Sequence, residues 1–231
     1  SVEIAYLCGF LTHYFLDREC HPYVYWQTDY LNKRKDYLEK HYQFENDIDV
    51  ALLRIMRDTT PYEFSRVSQI KINPTERERV CRMLHYSMHR TYEETRITKR
   101  GIHLAILSIQ KEQHFFKLCS GKLKTAIETV ENYFVGQSYL ASLIPGVDHE
   151  ISEDPLNLRH LEWKNPWKAE KVSNASFPEM MEKAAGNFAL SVYLMEDYLY
   201  EFKGDKQVWN LLAWRIGNAS YHSGLDWNIP S

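Results

Sequence analysis

Apolar positions recur at three- and four-residue intervals along most of the chain, the period of an amphipathic helix. The pattern predicts helices over residues 2–20, 28–57, 61–69, 74–91, 95–118, 121–144, 176–202 and 205–216. Several ends carry their own chemistry. Pro22 is expected to stop the first helix, and the second should end before Pro61. Asn73 reads as a cap, with Pro74 at the first helical position and Glu76 at the third. Ser176 and Glu179 have the spacing of a capping box, and Asp205 opens the last long helix. Residues 145–175 break the pattern with Pro145, Gly146, Pro155 and Pro166. Trp163 and Trp167 in that stretch argue for a long ordered loop rather than a disordered one. The expectation is an all-α fold, a single helical domain over residues 1–231 with about seven or eight helices.

Composition narrows this without changing it. Hydrophobic residues make up 44% and charged residues 26% of the 231, ordinary globular values. Only 9 glycines and 8 prolines are present, too few turn formers for a protein of many short strands. A net charge of −3 gives no electrostatic footprint for duplex nucleic acid. No run of 18 apolar residues exists, so no transmembrane segment is expected. Cys8, Cys20, Cys81 and Cys119 contain no Cys-x-x-Cys spacing. Read as free thiols, they favour a reducing compartment and a cytoplasmic location. The apolar pattern is already running at Val2 and Ile4 with only Ser1 before it, so an upstream segment is expected to be missing. That leaves secretion open.

Gly-x-Ser-x-Gly, Walker, His-Glu-x-x-His and Gly-x-Gly-x-x-Gly motifs are absent, and so is Glu-x-x-His. What remains is a set of histidines followed four residues later by an acid: His13–Asp17, His41–Glu45, His89–Glu93, His149–Glu153 and His222–Asp226. Helix geometry stacks such residues on one face. Taken singly, each is a solvated pair worth a few tenths of a kcal/mol. His13–Asp17 differs because it lies in an apolar run, where a carboxylate is expected to be partly buried and so paired or metal-bound. His21 follows four residues after Asp17, and Asp49 four after Glu45. Because Pro22 disfavours the α region at His21, that residue is expected at the helix end, entering from a different angle. Imidazole and carboxylate without thiolate is the donor chemistry of a catalytic zinc. His85 and His89 form a further pair, read as a helix face more than as extra ligands. His103 and His114 read as ordinary surface or core residues, and His160 as packing beside Trp163.

The string GFLTHYFLDRECHP, with HYQFENDID beginning 20 residues after His21, resembles the zinc-dependent phospholipase C family, whose superfamily includes zinc-dependent single-strand nucleases. Glu45, where the nucleases carry Asp, leans to the phospholipase side. The likeness covers about residues 5–53. A weaker one, LNLRHLEWKNP and SFPEM, is to uncharacterised bacterial members. The resemblance implies one to three zinc ions. His13 and Asp17 would ligate one, with Asp17 able to bridge; His21, His41 and Glu45 would ligate a second, with Asp49 supporting His41 or serving as an alternative ligand. It implies a general base upstream of Ser1 and a hydrolase acting on a phosphodiester, with phospholipid as a candidate substrate. The alternatives are a single-strand nuclease at the same site, or a helical binding protein with a depleted metal site. The third-ligand spacing departs from the family pattern, since His21 comes four residues after Asp17 rather than about six.

Overall fold

The computed structural model describes residues 1–32, 36–60, 63–64, 71–92, 94–118, 122–136, 139–144 and 152–227. Eight α-helices and one two-stranded hairpin make up its regular structure: α1 (Val2–Gln27), α2 (Tyr37–Arg57), α3 (Pro74–Thr91), α4 (Lys99–Leu118), α5 (Lys122–Phe134), α6 (Tyr139–Ser142), β1 (Trp163–Asn165), β2 (Lys168–Ser173), α7 (Phe177–Glu196) and α8 (Lys206–Ile216). The helix expected over 61–69 falls almost wholly outside the described residues, as do Glu93, Cys119, Ser120–Gly121 and His149. Cys8, Cys20 and Cys81 are free thiols. No described helix is long and apolar enough to cross a membrane.

The chain divides into two compact units. The first comprises Ser1–Leu7 and Glu45–Ile151. Here α3 packs on α4 around Val80, Cys81 and Ile102, all buried. The expected Asn73 cap is present: its side chain accepts from the Glu76 N–H, while Glu76 accepts from the Asn73 N–H at 2.9 Å. Arg79 grips Glu3 with two parallel bonds of 2.7 and 2.6 Å. Glu131 accepts from the N–H groups of Leu140 and Ala141, satisfying two orphan donors at the start of α6.

The second unit comprises Cys8–Phe44 and Ser152–Ser231. Its core holds Phe15, Tyr23, Leu156, Trp163, Phe177, Met180 and Leu212. Three expectations are corrected here. First, Pro22 does not stop α1; the helix runs on to Gln27. Proline removes the N–H that Arg18's carbonyl would have received. Tertiary packing offsets this, because Pro22, Tyr23, Val24 and Tyr25 are all buried and the Tyr23 hydroxyl donates to the Pro155 carbonyl at 3.0 Å. Second, the helix expected over 28–57 is two elements. Asp29 has a positive φ of 53°, a short 3₁₀ turn covers Tyr30–Asn32, and α2 begins only at Tyr37.

Third, the expected loop contains the hairpin. β1 and β2 pair antiparallel, Trp163 opposite Ser173 and Lys164 opposite Val172, with an irregularity between Lys164 and Asn165. The strand KAEKVS is almost wholly exposed, so it shows no apolar alternation to read. Tertiary anchors hold it instead: Asn165 Nδ2 donates to the Ser223 carbonyl at 2.7 Å, and Trp163 Nε1 to that of Ala175 at 3.0 Å. Asn157 knits the approach. It is 2% exposed, and its amide nitrogen reaches the carbonyls of Leu161, Asn174 and Ala175. Ser176 and Glu179 cap α7 reciprocally, as their spacing foretells. Asp205 caps α8 by accepting from Gln207 and Val208, after a π-helical turn over Asp197–Glu201. At the far end of α8, Arg18 Nη1 donates to the Ile216 carbonyl at 2.6 Å.

Candidate metal centre

The unbroken course of α1 places His13, Asp17 and His21 on one face, a turn apart. His21 is therefore helical and does not enter from another angle. The His13 Nε2 lies 3.1 Å from Asp17 Oδ2, and the His21 Nδ1 lies 4.0 Å from the same oxygen. Exposure separates the three: side chains of Asp17 and His21 are 14% and 18% exposed, but that of His13 is 66% exposed. Asp17 is thus held in largely desolvated surroundings, as its apolar neighbours suggest, whereas His13 is not.

On α2, His41 is buried and Glu45 stands one turn further along the same helix. Each of His21, His41 and Glu45 offers one ligand atom, and these atoms all lie within 4.8 Å of one another. They form a group able to hold a metal ion. Among the described residues, His13 and Asp17 do not enter it. Asp49 is exposed and eight residues beyond His41, about 12 Å of helical rise, too far for a direct bond to the imidazole. Instead, the Tyr37 hydroxyl lies 3.3 Å from His41 Nδ1.

The tautomer of His21 follows from its partner. Nδ1 donates to the Tyr221 carbonyl at 2.8 Å; a carbonyl only accepts, so that nitrogen carries the proton. In the neutral ring Nε2 is then the lone-pair atom, which is the arrangement metal-ligating histidines adopt. Asp17 sits on the Nδ1 side and supports the same proton electrostatically. Both His21 and His41 thus have a polar group at Nδ1.

Aromatic rings surround the two imidazoles. Tyr25 packs on His41 with ring centroids 4.8 Å apart, and on Trp167 at 5.0 Å; Tyr30 meets Trp167 at 4.7 Å. Burial, then the neighbouring Tyr25, pushes the Tyr37 phenol well above its ordinary range. His222 belongs to this assembly. Its ring lies nearly parallel to that of His21, 13° apart in plane and 6.0 Å between centroids. Its Nδ1 is 2.5 Å from the Tyr25 hydroxyl. Burial lowers its pKa, and the His21 and His41 rings lower it further. His222–Asp226 appears in the sequence as one more histidine–acid pair, with nothing local to tie it to α1.

His85, His89 and His160 stand outside the triad. The His85 and His89 rings lie 4.3 Å apart with their planes tilted by 47°, and His89 Nε2 lies 3.0 Å from the Ile97 carbonyl. His160 has a positive φ of 53°, and its Nδ1 is 3.1 Å from the Asn174 carbonyl. Neither set joins a ligand group among the described residues. A cleft of about 760 Å³ in the second unit is lined by Arg18, Glu19 and Pro22 with Trp163, Lys183 and Trp214. Its α1 residues lie about 100–200° around the helix from Asp17, so it opens on a different face from the histidines. No family model matches the chain, and neither a curated protein nor a solved structure matches it.

Proposed function

We propose that the protein is a metal-dependent phosphodiesterase of the kind that residues 5–53 resemble, the zinc-dependent phospholipase C family. The observation that carries this reading is the convergence of His21, His41 and Glu45. Two imidazoles and a carboxylate are a donor set of catalytic zinc, which takes three protein ligands and keeps a position open. The His21 Nδ1–H bond to Tyr221 presents Nε2 to an ion, so the residues fit the group. Bound there, zinc supplies Lewis acidity to a phosphoryl oxygen at neutral pH.

The chain's own groups do the rest. His21 and His41 hold their rings in fixed orientation through Tyr221 and Tyr37. Asp17 raises the basicity of His21 by stabilising charge at Nδ1. Tyr25 and Tyr37 pack against His41 and limit water around it. A nucleobase-bearing phosphodiester is the second reading. It is favoured by one observation: Trp167 is 37% exposed and packs on Tyr30 beside the Tyr25–His41 pair, where a base could stack.

The test is zinc content by mass spectrometry on protein prepared without a metal-affinity tag, followed by hydrolysis of bis-(p-nitrophenyl) phosphate, phosphatidylcholine vesicles and single-stranded DNA. One zinc per chain and zinc-dependent turnover of the chromogenic diester are expected. Turnover of DNA but not vesicles selects the second reading. Zinc without turnover of any diester overturns the enzymatic reading.

A further inference from the structure

The loop after α8 approaches α1 closely. Gly224 has a φ of 60°, and a Cβ placed on it would lie 2.3 Å from the Arg18 carbonyl oxygen. That carbonyl is the one Pro22 leaves without its helical donor. The loop therefore closes onto α1 at the proline. Further ties hold it: Gly224 N–H donates to the Ser220 carbonyl at 3.0 Å, Asn165 reaches the Ser223 carbonyl, and Ala219 bridges to Asp226.

Between these anchors stand Tyr221 and His222. The Tyr221 carbonyl receives His21 Nδ1–H, and the His222 ring lies alongside His21. His222 is outside the grouped ligand atoms, so the geometry places it next to the metal ligands and not among them. Its Nδ1 is fixed by Tyr25. Resting on the phosphodiesterase reading, we infer that His222 is an anion-contacting residue of the site: the Tyr25 hydroxyl donates to its Nδ1, its proton resides on Nε2, and Nε2–H donates to a phosphoryl oxygen of the substrate. The loop after α8 thereby completes a site whose other members come from α1 and α2.

The experiment uses the full chain loaded with zinc and inorganic phosphate as the probe, followed by calorimetry, with metal content and melting temperature measured on the same samples. His222→Ala should keep its zinc and bind phosphate at least about ten-fold more weakly, the usual worth of a hydrogen bond to a charged group. His222→Gln, whose amide still donates, should recover most of that loss. Tyr25→Phe should keep zinc and weaken phosphate by less. Should His222→Ala not fold, His222→Gln against His222→Met decides, since the two are similar in size and only the first donates. Loss of zinc in His222→Ala would make His222 a ligand and overturn the inference. Unchanged phosphate affinity would reduce it to packing and overturn it as well. Wild-type protein that takes up zinc but binds no phosphate overturns the inference alone and leaves the triad standing; wild-type protein that takes up no zinc overturns both.

Discussion

His21 and Tyr221, 200 residues apart in sequence, are joined by a 2.8 Å bond from an imidazole N–H to a backbone carbonyl. This contact decides which nitrogen of His21 is available to a metal. It also couples the candidate centre to a loop whose side chains the motif on α1 does not mention. Because the acceptor is main chain, substituting Tyr221 leaves it in place, whereas displacing the loop removes it.

The triad makes an ordered prediction for metal content. His21→Gln, His41→Gln and Glu45→Gln should each abolish stoichiometric zinc. Asp17→Asn should weaken zinc binding by about 10–100-fold without abolishing it, the usual effect of removing a group that supports a ligating histidine. His13→Ala should retain zinc, because its imidazole is exposed and outside the grouped atoms. Competition with a chelator of known affinity checks the order. Zinc lost from His13→Ala as completely as from Glu45→Gln would place the ion at the His13–Asp17 pair instead.

Gly224 tests whether the loop after α8 holds the centre. Gly224→Ala must move the Arg18 backbone or the loop, since both atoms of the clash are main chain or Cβ. Gly204 has a positive φ of 81° with nothing within 4 Å of a built Cβ. Gly204→Ala therefore reports the conformational cost alone, about 1 kcal/mol. Gly224→Ala should cost about 2 kcal/mol or more beyond that, and should weaken zinc binding by withdrawing the Tyr221 carbonyl. Melting curves with and without zinc separate the two effects.

What was legible in the sequence was local. Asn73 with Glu76, Ser176 with Glu179 and Asp205 carry their partners within three residues, and all three caps are present. His41 and Glu45 are one turn apart, so their shared face needs nothing beyond helix geometry. The departures are tertiary. Pro22 has the local character of a helix stop, but the burial of Tyr23 and Tyr25 and the approach of Gly224 hold the helix through it. Hence His21 stands on the same face as Asp17. The hairpin escapes notice because Lys168–Ser173 is almost wholly exposed and is fixed by Asn165 and Trp163. His222 and Tyr221 reach α1 only through the fold, and no spacing rule spans 200 residues.

Asn157 is a second place where one side chain organises many backbone groups. Its φ of 51° is a conformation asparagine tolerates better than most residues. Its Oδ1 accepts from the Leu161 N–H at 3.0 Å while Nδ2 serves three carbonyls. Asn157→Ala strips these groups of a partner in a buried setting and should cost about 3 kcal/mol. Asn157→Asp keeps the acceptor but faces three carbonyls with a carboxylate, and should be at least as damaging. Denaturant midpoints, with unchanged slopes, are the measurement; a loss under 1 kcal/mol for Asn157→Ala would mean that the carbonyls find other donors.

Glu3 offers a pH-dependent test in the first unit. Its double bond to Arg79 holds the carboxyl down at about 2, from an ordinary 4.5, with its own backbone N–H adding to the effect. A depressed folded-state pKa means that the unfolded chain binds the proton first. The stabilisation is therefore complete above about pH 4.5 and is lost as pH falls toward 2. The pair is partly exposed to solvent, so salt should weaken it. Melting temperatures of wild type and Glu3→Gln should accordingly differ most at pH 5–7 in low salt, converge near pH 2, and draw together at neutral pH as salt is raised. A difference that persists undiminished at pH 2 would assign the effect of the substitution to packing rather than to the charged contact.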